Sequence, residues 1–215
     1  WPARERDQPF TFAAWLKVPN NGSGAVIARI DEGQAFRGYD FWIQNRSVGT
    51  HIVNSWPGNA LKVMSSESLT ADKWHHVAVS YDGSSKAAGV KIFIDGKLVG
   101  NKVEQDSLKD SIVTQTPFKI GSRSSQGNYN GEVDELRIYN RALSEGEIQR
   151  LGGDPIKSLL ATPAAERTQE QKIVLLEHYL TSQDKNYQQL VSAHGKLLAE
   201  ESGIKSQKAT SVMVM

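Results

Sequence analysis

Up to about residue 140 apolar and polar residues alternate with a period of two, the pattern of half-buried strands, and after Gly153 that pattern stops. Phe10–Val18 sets Phe10, Phe12, Ala14 and Leu16 on one face and Thr11, Ala13, Trp15 and Lys17 on the other. Tyr39–Gln44 places Tyr39, Phe41 and Ile43 opposite Asp40, Trp42 and Gln44, and Trp74–Tyr81 reads as a further strand. Ala25–Ile30, Val48–Ser55, Leu61–Met64, Phe118–Ile120 and Glu132–Tyr139 complete the predicted set, separated by turn clusters such as Pro19–Gly24 and Trp56–Asn59. Val90–Ile94 and Lys97–Val99 flank Asp95-Gly96, a pair suited to a two-residue hairpin turn. Roughly ten short strands without a helical period predict an antiparallel β-sandwich rather than a βαβ fold.

The last strand leads into the stretch that closes the β region, GEVDELRIYNRAL at Gly131–Leu143. Ser144 and Glu147 then form a Ser-x-x-Glu capping box, which predicts a short helix stopped at Gly152–Gly153. With WHHVAVSYDG and KIFIDGKLVG upstream, GEVDELRIYNRALSEGEI resembles the laminin-G-like, concanavalin A-like jelly-roll domains of bacterial extracytoplasmic proteins. The resemblance implies a mainly β jelly-roll sandwich and a non-catalytic, lectin-like role outside the cytoplasm. Fold alone does not give function, so the site is argued from residues. Such domains ordinarily begin with a strand carrying a Phe-Asp-Gly-like motif, and nothing before Phe10 matches it. A missing edge strand, or one donated by the C-terminal tail, is therefore expected.

Beyond Gly153 the signals are helical. Asp154-Pro155 predicts a short helix to Ala161, and Thr168 with Gln171 is another capping box. Asp184 should open the last helix and Gly203 end it, giving a hairpin sealed by Ile173, Leu176, Leu180, Tyr187, Leu190, Val191, His194 and Leu197. The expected division is a sandwich at 1–153, a helical hairpin at 154–203, and a tail or linker at 204–215. PAAERTQEQKIVLLEHYL and the closing TSVMVM resemble the joining segment of planctomycete multidomain proteins, in which a c-type haem region and uncharacterised domains flank a laminin-G-like module. That implies a middle fragment whose partners include the flanking domains of a parent protein, an expectation in keeping with a first residue, Trp1, that is not methionine.

Composition narrows the functions. Zero cysteines exclude disulfides, a cysteine nucleophile and haem attachment within this chain. A net charge of +1 with both signs scattered gives no basic stripe, which argues against nucleic acid as a partner. No apolar run approaches the ~18 residues of a membrane span.

Three chemistries compete for the remaining signals. Glu132, Asp134 and Glu135 suggest a glycosidase pair, but alternation puts Leu136 where the second acid should follow on the Glu132/Asp134 face, so a salt-bridged strand end is expected instead. His75 and His76 are adjacent on a strand, face opposite ways and do not chelate one ion. Calcium is implied by the resemblance, with Asp31 and Glu32 in their loop and Asp134 on the strand as candidate ligands. Of five tryptophans, Trp15 and Trp74 are expected in the core. Trp56, in its turn, is the candidate platform for a pyranose ring, with Trp42, Asn54, Asn59, Arg123 and Tyr129 as candidate neighbours. Arg123 and Tyr129 come from Gly121–Asn130, a Ser/Asn/Gly loop of the adaptable kind that binding sites use. The sequence thus supports a polysaccharide- or glycan-binding module, with a structural spacer or protein-interaction module as the alternative.

Overall fold

The computed structural model describes residues 3–124, 127–153, 156, 159–160 and 162–208, with side chains to residue 205. The chain divides into two compact units, Trp1–Gly153 and Asp154–Met215.

The first unit is a sandwich of two antiparallel sheets. Strands β1 (Phe10–Lys17), β6 (Trp74–Tyr81), β7 (Val90–Ile94), β8 (Lys97–Leu98) and β11 (Glu132–Tyr139) form a five-stranded sheet in the order β11-β1-β6-β7-β8. Strands β2 (Gly24–Asp31), β3 (Arg37–Gln44), β4 (Ser47–Ser55), β5 (Asn59–Ser68), β9 (Asn101–Asp106) and β10 (Lys119–Ile120) form a six-stranded sheet in the order β10-β2-β3-β4-β5-β9. Both sheets are built from residues 10–139. No strand precedes Phe10 among the described residues; the segment before it is held instead by Tyr81, whose hydroxyl donates to the Arg6 carbonyl at 2.5 Å.

The predicted alternation sets the core. Phe10, Phe12, Ala14 and Leu16 of β1 meet Tyr39, Phe41 and Ile43 of β3 across the sandwich, all essentially without solvent exposure. Phe12 sits 5.9 Å from Tyr39 and 6.3 Å from Phe41, centroid to centroid. Each such ring contributes roughly 1.5–3 kcal/mol by leaving water. Asp95 (φ 50) and Gly96 (φ 76) both take the left-handed conformation that a type I′ hairpin turn requires.

A smaller core lies on the outer face of the five-stranded sheet. Helix α1 (Glu145–Gly152) starts at the predicted capping box, where Glu147 accepts from the Ser144 N–H at 2.9 Å. Ile148 of the helix and Leu143 just before it pack on Ala13, Ala78 and Phe93. Gly152 closes over His76: a Cβ there would stand 2.6 Å from Nδ1.

Several expectations are corrected. Trp74 is 42% exposed because it opens β6 opposite Lys17, at the end of the ladder rather than inside it. Trp15 is half-buried on the outer face, edge-on to His76 at 5.5 Å. Strand β9 was not predicted, since NKVEQD is polar and exposed as an edge strand should be. On β11 a bulge with Glu135 at φ 47 resets the alternation, so Val133, Leu136 and Ile138 all reach the core while Asp134 and Glu135 both stay exposed. The expected salt-bridged strand end is present: Glu132 pairs with Lys17 at 2.9 Å and Glu135 with Arg137 at 2.8 Å.

The second unit contains a hairpin-like helix pair. Helix α2 (Gln169–Ser182) begins at the Thr168–Gln171 capping box, and α3 (Lys185–Lys208) begins where Asp184 Oδ1 accepts from the Tyr187 N–H at 3.0 Å. Gln188 Nε2 donates back to the Thr181 carbonyl at 2.7 Å across the break. The expected seam is not sealed: Leu180 is half-buried, but the other seam residues are exposed, up to 69% at Leu190. Gly203 does not end α3, which continues to Lys208 with Glu201 and Lys205 paired at 2.6 Å one turn apart. A glycine inside a helix costs only about 1 kcal/mol, which this ladder outweighs. The helix expected at Asp154–Ala161 and the tail at 209–215 lie outside the described residues.

Candidate functional site

The outer face of the six-stranded sheet carries the residues that alternate with the core. On β3 these are Asp40, Trp42 and Gln44; on β4, His51 and Val53; on β5, Lys62. All of these except Asp40 line a cavity of about 240 Å³. At one end it is walled by two turns, β2–β3 bringing Phe36 and β4–β5 bringing Trp56, and the Trp56 N–H donates to the Ala35 carbonyl at 2.9 Å to hold them together. Ala35 (φ 52) and Phe36 (φ 63) are consecutive left-handed residues, a conformation that costs of order 1–3 kcal/mol per position and concentrates at functional turns. Arg123, from the long loop after β10, roofs the other side.

The aromatic rings are braced rather than loose. His51 stands edge-on between Trp42 at 5.8 Å and Trp56 at 5.7 Å. The Arg123 guanidinium lies 4.3 Å from the Trp42 ring centre and 5.8 Å from Phe36, as a cation over π faces. Gly127 backs Trp42 so closely that a Cβ would come within 3.2 Å of the indole.

Asp40 organises this set from beneath. It has no solvent exposure, accepts from the His51 N–H at 2.8 Å, faces His51 Nδ1 at 3.0 Å, and pairs with Arg123 Nη2. Burial pushes its carboxyl up, but the charges of His51 and Arg123 and their hydrogen bonds outweigh burial and hold it down at about 2. Arg123 Nη2 also lies 3.3 Å from His51 Nδ1, so the three groups form one contact set. Lys62 is fixed in turn, donating to Gln44 Oε1 at 2.9 Å and pairing with Glu104 at 2.8 Å.

Of the sequence-predicted sugar residues, the structure brings together Trp56, Trp42 and Arg123 and not the other three. Asn54 Nδ2 donates to the Ser111 carbonyl at 2.6 Å. Asn59 donates to Asp110 at 2.6 Å and accepts from the Lys109 N–H at 2.7 Å, so both amides anchor the 107–112 segment. Tyr129 packs half-buried against the core with its hydroxyl near the Lys17 carbonyl, and burial, followed by Glu132, raises its phenol. Phe36, Gln44, His51 and Lys62 were not predicted, and neither was Asp40. The available signal was the shared face of Asp40, Trp42 and Gln44.

The calcium ligands do not converge. Asp31 Oδ1 accepts from the Gly33 N–H at 3.0 Å, Glu32 accepts from the Ser124 hydroxyl, and Asp134 stands on β11 of the other sheet, accepting from the Glu135 N–H at 2.7 Å. Among the described residues no group of three or more His, Asp or Glu side chains is placed to hold a metal ion. These residues do not fit the calcium site that the resemblance implies.

Residues 2–149 match a laminin-G-like profile described as the concanavalin A-like lectin/glucanases superfamily, and the chain belongs to that superfamily. Among curated relatives it is 23% identical over 171 residues to adhesion G-protein coupled receptor V1 of Danio rerio, covering 76% of this chain. It is 24% identical over 144 residues to usherin of Mus musculus, covering 64% of this chain. The match spans 3% of the length of each of these relatives. Among solved structures, the CBM40 of the Ruminococcus gnavus IT-sialidase, bound to α2,3-sialyllactose, superposes with a TM-score of 0.55 at 19% identity, over 68% of this chain and 83% of that one. Carbohydrate-binding modules are thus among the structures that share this fold. No described helix is long and apolar enough to cross a membrane.

Proposed function

We propose that this chain is a non-catalytic, lectin-like carbohydrate-binding module of a larger extracytoplasmic protein, and that it takes one sugar residue of a glycan into the cavity on its six-stranded sheet. The observation that carries the reading is the convergence of Trp56, Trp42 and Phe36 around a polar floor of Gln44, His51 and Lys62. The apolar face of a pyranose stacks on an indole, while fixed polar groups read its hydroxyls. A cavity of about 240 Å³ is small beside drug-sized pockets, which favours a single ring or chain end over an extended polymer. The likeness to a module that binds sialyllactose supports the class of ligand, not its identity. Binding through one small cavity should be weak, in the millimolar to micromolar range, about −4 to −8 kcal/mol. Flanking domains of the parent protein would then be tethered to polysaccharide.

The competing reading, a protein-interaction or spacer module, draws on Leu190 and Leu197, which are 69% and 63% exposed on α3. A glycan array followed by affinity electrophoresis of wild type and Trp56→Ala separates the two. Retarded wild type and unretarded variant are expected. Equal retardation of both removes Trp56 as the platform, and a wild type that binds no glycan gives the lead to the spacer reading.

A further inference from the structure

The proposed cavity is rich in donors and poor in acceptors. Arg123 and Lys62 bring only N–H groups, and Gln44 Oε1, the one side-chain carbonyl among the described lining residues, already accepts from Lys62. Among the described residues no aspartate or glutamate lines it. A neutral sugar presents hydroxyls that donate as well as accept, and among the described lining side chains only the second lone pair of Gln44 Oε1 and a His51 ring nitrogen can accept from them. The donors are also not all spent. Lys62 Nζ gives two of its three hydrogens to Gln44 and Glu104, and the buried Arg123 Nε has no hydrogen-bond partner among the described residues.

The charges point the same way. Asp40 answers Arg123 from below the floor, while Glu104, behind the cavity on β9, is shared between Lys62 at 2.8 Å and Lys102 at 3.9 Å. Each lining cation has one carboxylate partner, but both carboxylates lie outside the lining, so the cavity itself presents only the cations. A charge-assisted hydrogen bond from these donors to an anionic oxygen is about twice as strong as a neutral one.

Resting on the carbohydrate reading above, we infer that the cavity selects an acidic saccharide, with its carboxylate or sulfate at Lys62 and Arg123 and its ring against Trp56. The anion takes up the donors that a neutral ring leaves unmet, and the indole supplies the stacking that a free anion does not use.

The test is calorimetric titration of the full chain with matched pairs: glucuronic acid against glucose, galacturonic acid against galactose, and galactose 6-sulfate against galactose. The acidic member of at least one pair should bind at least ~10-fold more tightly, and the preference should shrink at 0.5 M salt, where screening extends over only a few ångströms. Preference for the uronic acids assigns a carboxylate, and preference for the sulfated sugar assigns a sulfate. Lys62→Gln should cut affinity for the acidic member about 10-fold more than it cuts affinity for the neutral one. The salt dependence of wild type carries the same test should that variant not fold. Neutral members binding as tightly as acidic ones overturn the inference and leave carbohydrate binding intact. Failure of every saccharide here and on the array overturns both.

Discussion

Removing the charge of Asp40 tests how the sheet and the cavity are joined. Its carboxyl is held at about 2 against an ordinary 3.8, a gap worth about 2 kcal/mol of stability at neutral pH. Because the folded carboxyl titrates below the unfolded one, that contribution is present above pH 3.8 and is lost as the pH falls toward 2. Asp40→Asn should cost more than this, about 3–5 kcal/mol, because it strands the largely buried Arg123 cation without its counter-ion. Arg123→Gln leaves the carboxylate buried with His51 alone and should destabilise by a similar amount. The double variant removes both ends together and should cost clearly less than the sum of the single ones. Urea denaturation followed by tryptophan fluorescence reads all four proteins. A loss below ~1 kcal/mol in Asp40→Asn, or strict additivity in the cycle, would refute the claim that this buried pair holds the site together.

Burial, then the charge of Arg137, lowers the pKa of His76 to about 4, so the unfolded chain binds a proton first on acidification. Stability should fall by up to about 3 kcal/mol between pH 6.5 and 4, and His76→Gln should flatten that slope in denaturation curves recorded at several pH values. Ile148→Ala, which empties the contact of α1 on the five-stranded sheet, should cost about 2–5 kcal/mol in thermal or urea unfolding. Gly203→Ala should raise helix content by circular dichroism and stabilise α3 by about 0.5–1 kcal/mol; a loss of helix would restore Gly203 as a terminator.

The strands were legible because alternation is a local property: Phe10, Phe12, Tyr39 and Phe41 repeat it without regard to distant partners. The capping boxes at Ser144 and Thr168 were legible for the same reason. The site was half legible. Trp56 stood out as an indole in a turn, but its neighbours are chosen by pairing between strands far apart in the chain. Asp40 reads in sequence as an outward polar residue, and only the return of Arg123, 83 residues later, makes it a buried charge. Asn54 and Asn59 have the composition of sugar-reading amides, yet they are used up by backbone and side-chain groups 50 to 57 residues away. Glu135 could not be oriented without the bulge that its positive φ creates.

The chain carries its own reporters for the central claim. Trp42 and Trp56 line the cavity, whereas Trp15 and Trp74 belong to the five-stranded sheet. Each indole N–H gives a separate cross-peak in a ¹H–¹⁵N correlation spectrum, assigned by single substitutions. Titration with the tightest-binding saccharide from the array should move the Trp42 and Trp56 peaks along one saturable curve and leave those of Trp15 and Trp74 in place. Saturable shifts confined to Trp15 and Trp74, or a saccharide that binds while Trp42 and Trp56 stay still, would contradict the assignment of this cavity as the glycan site.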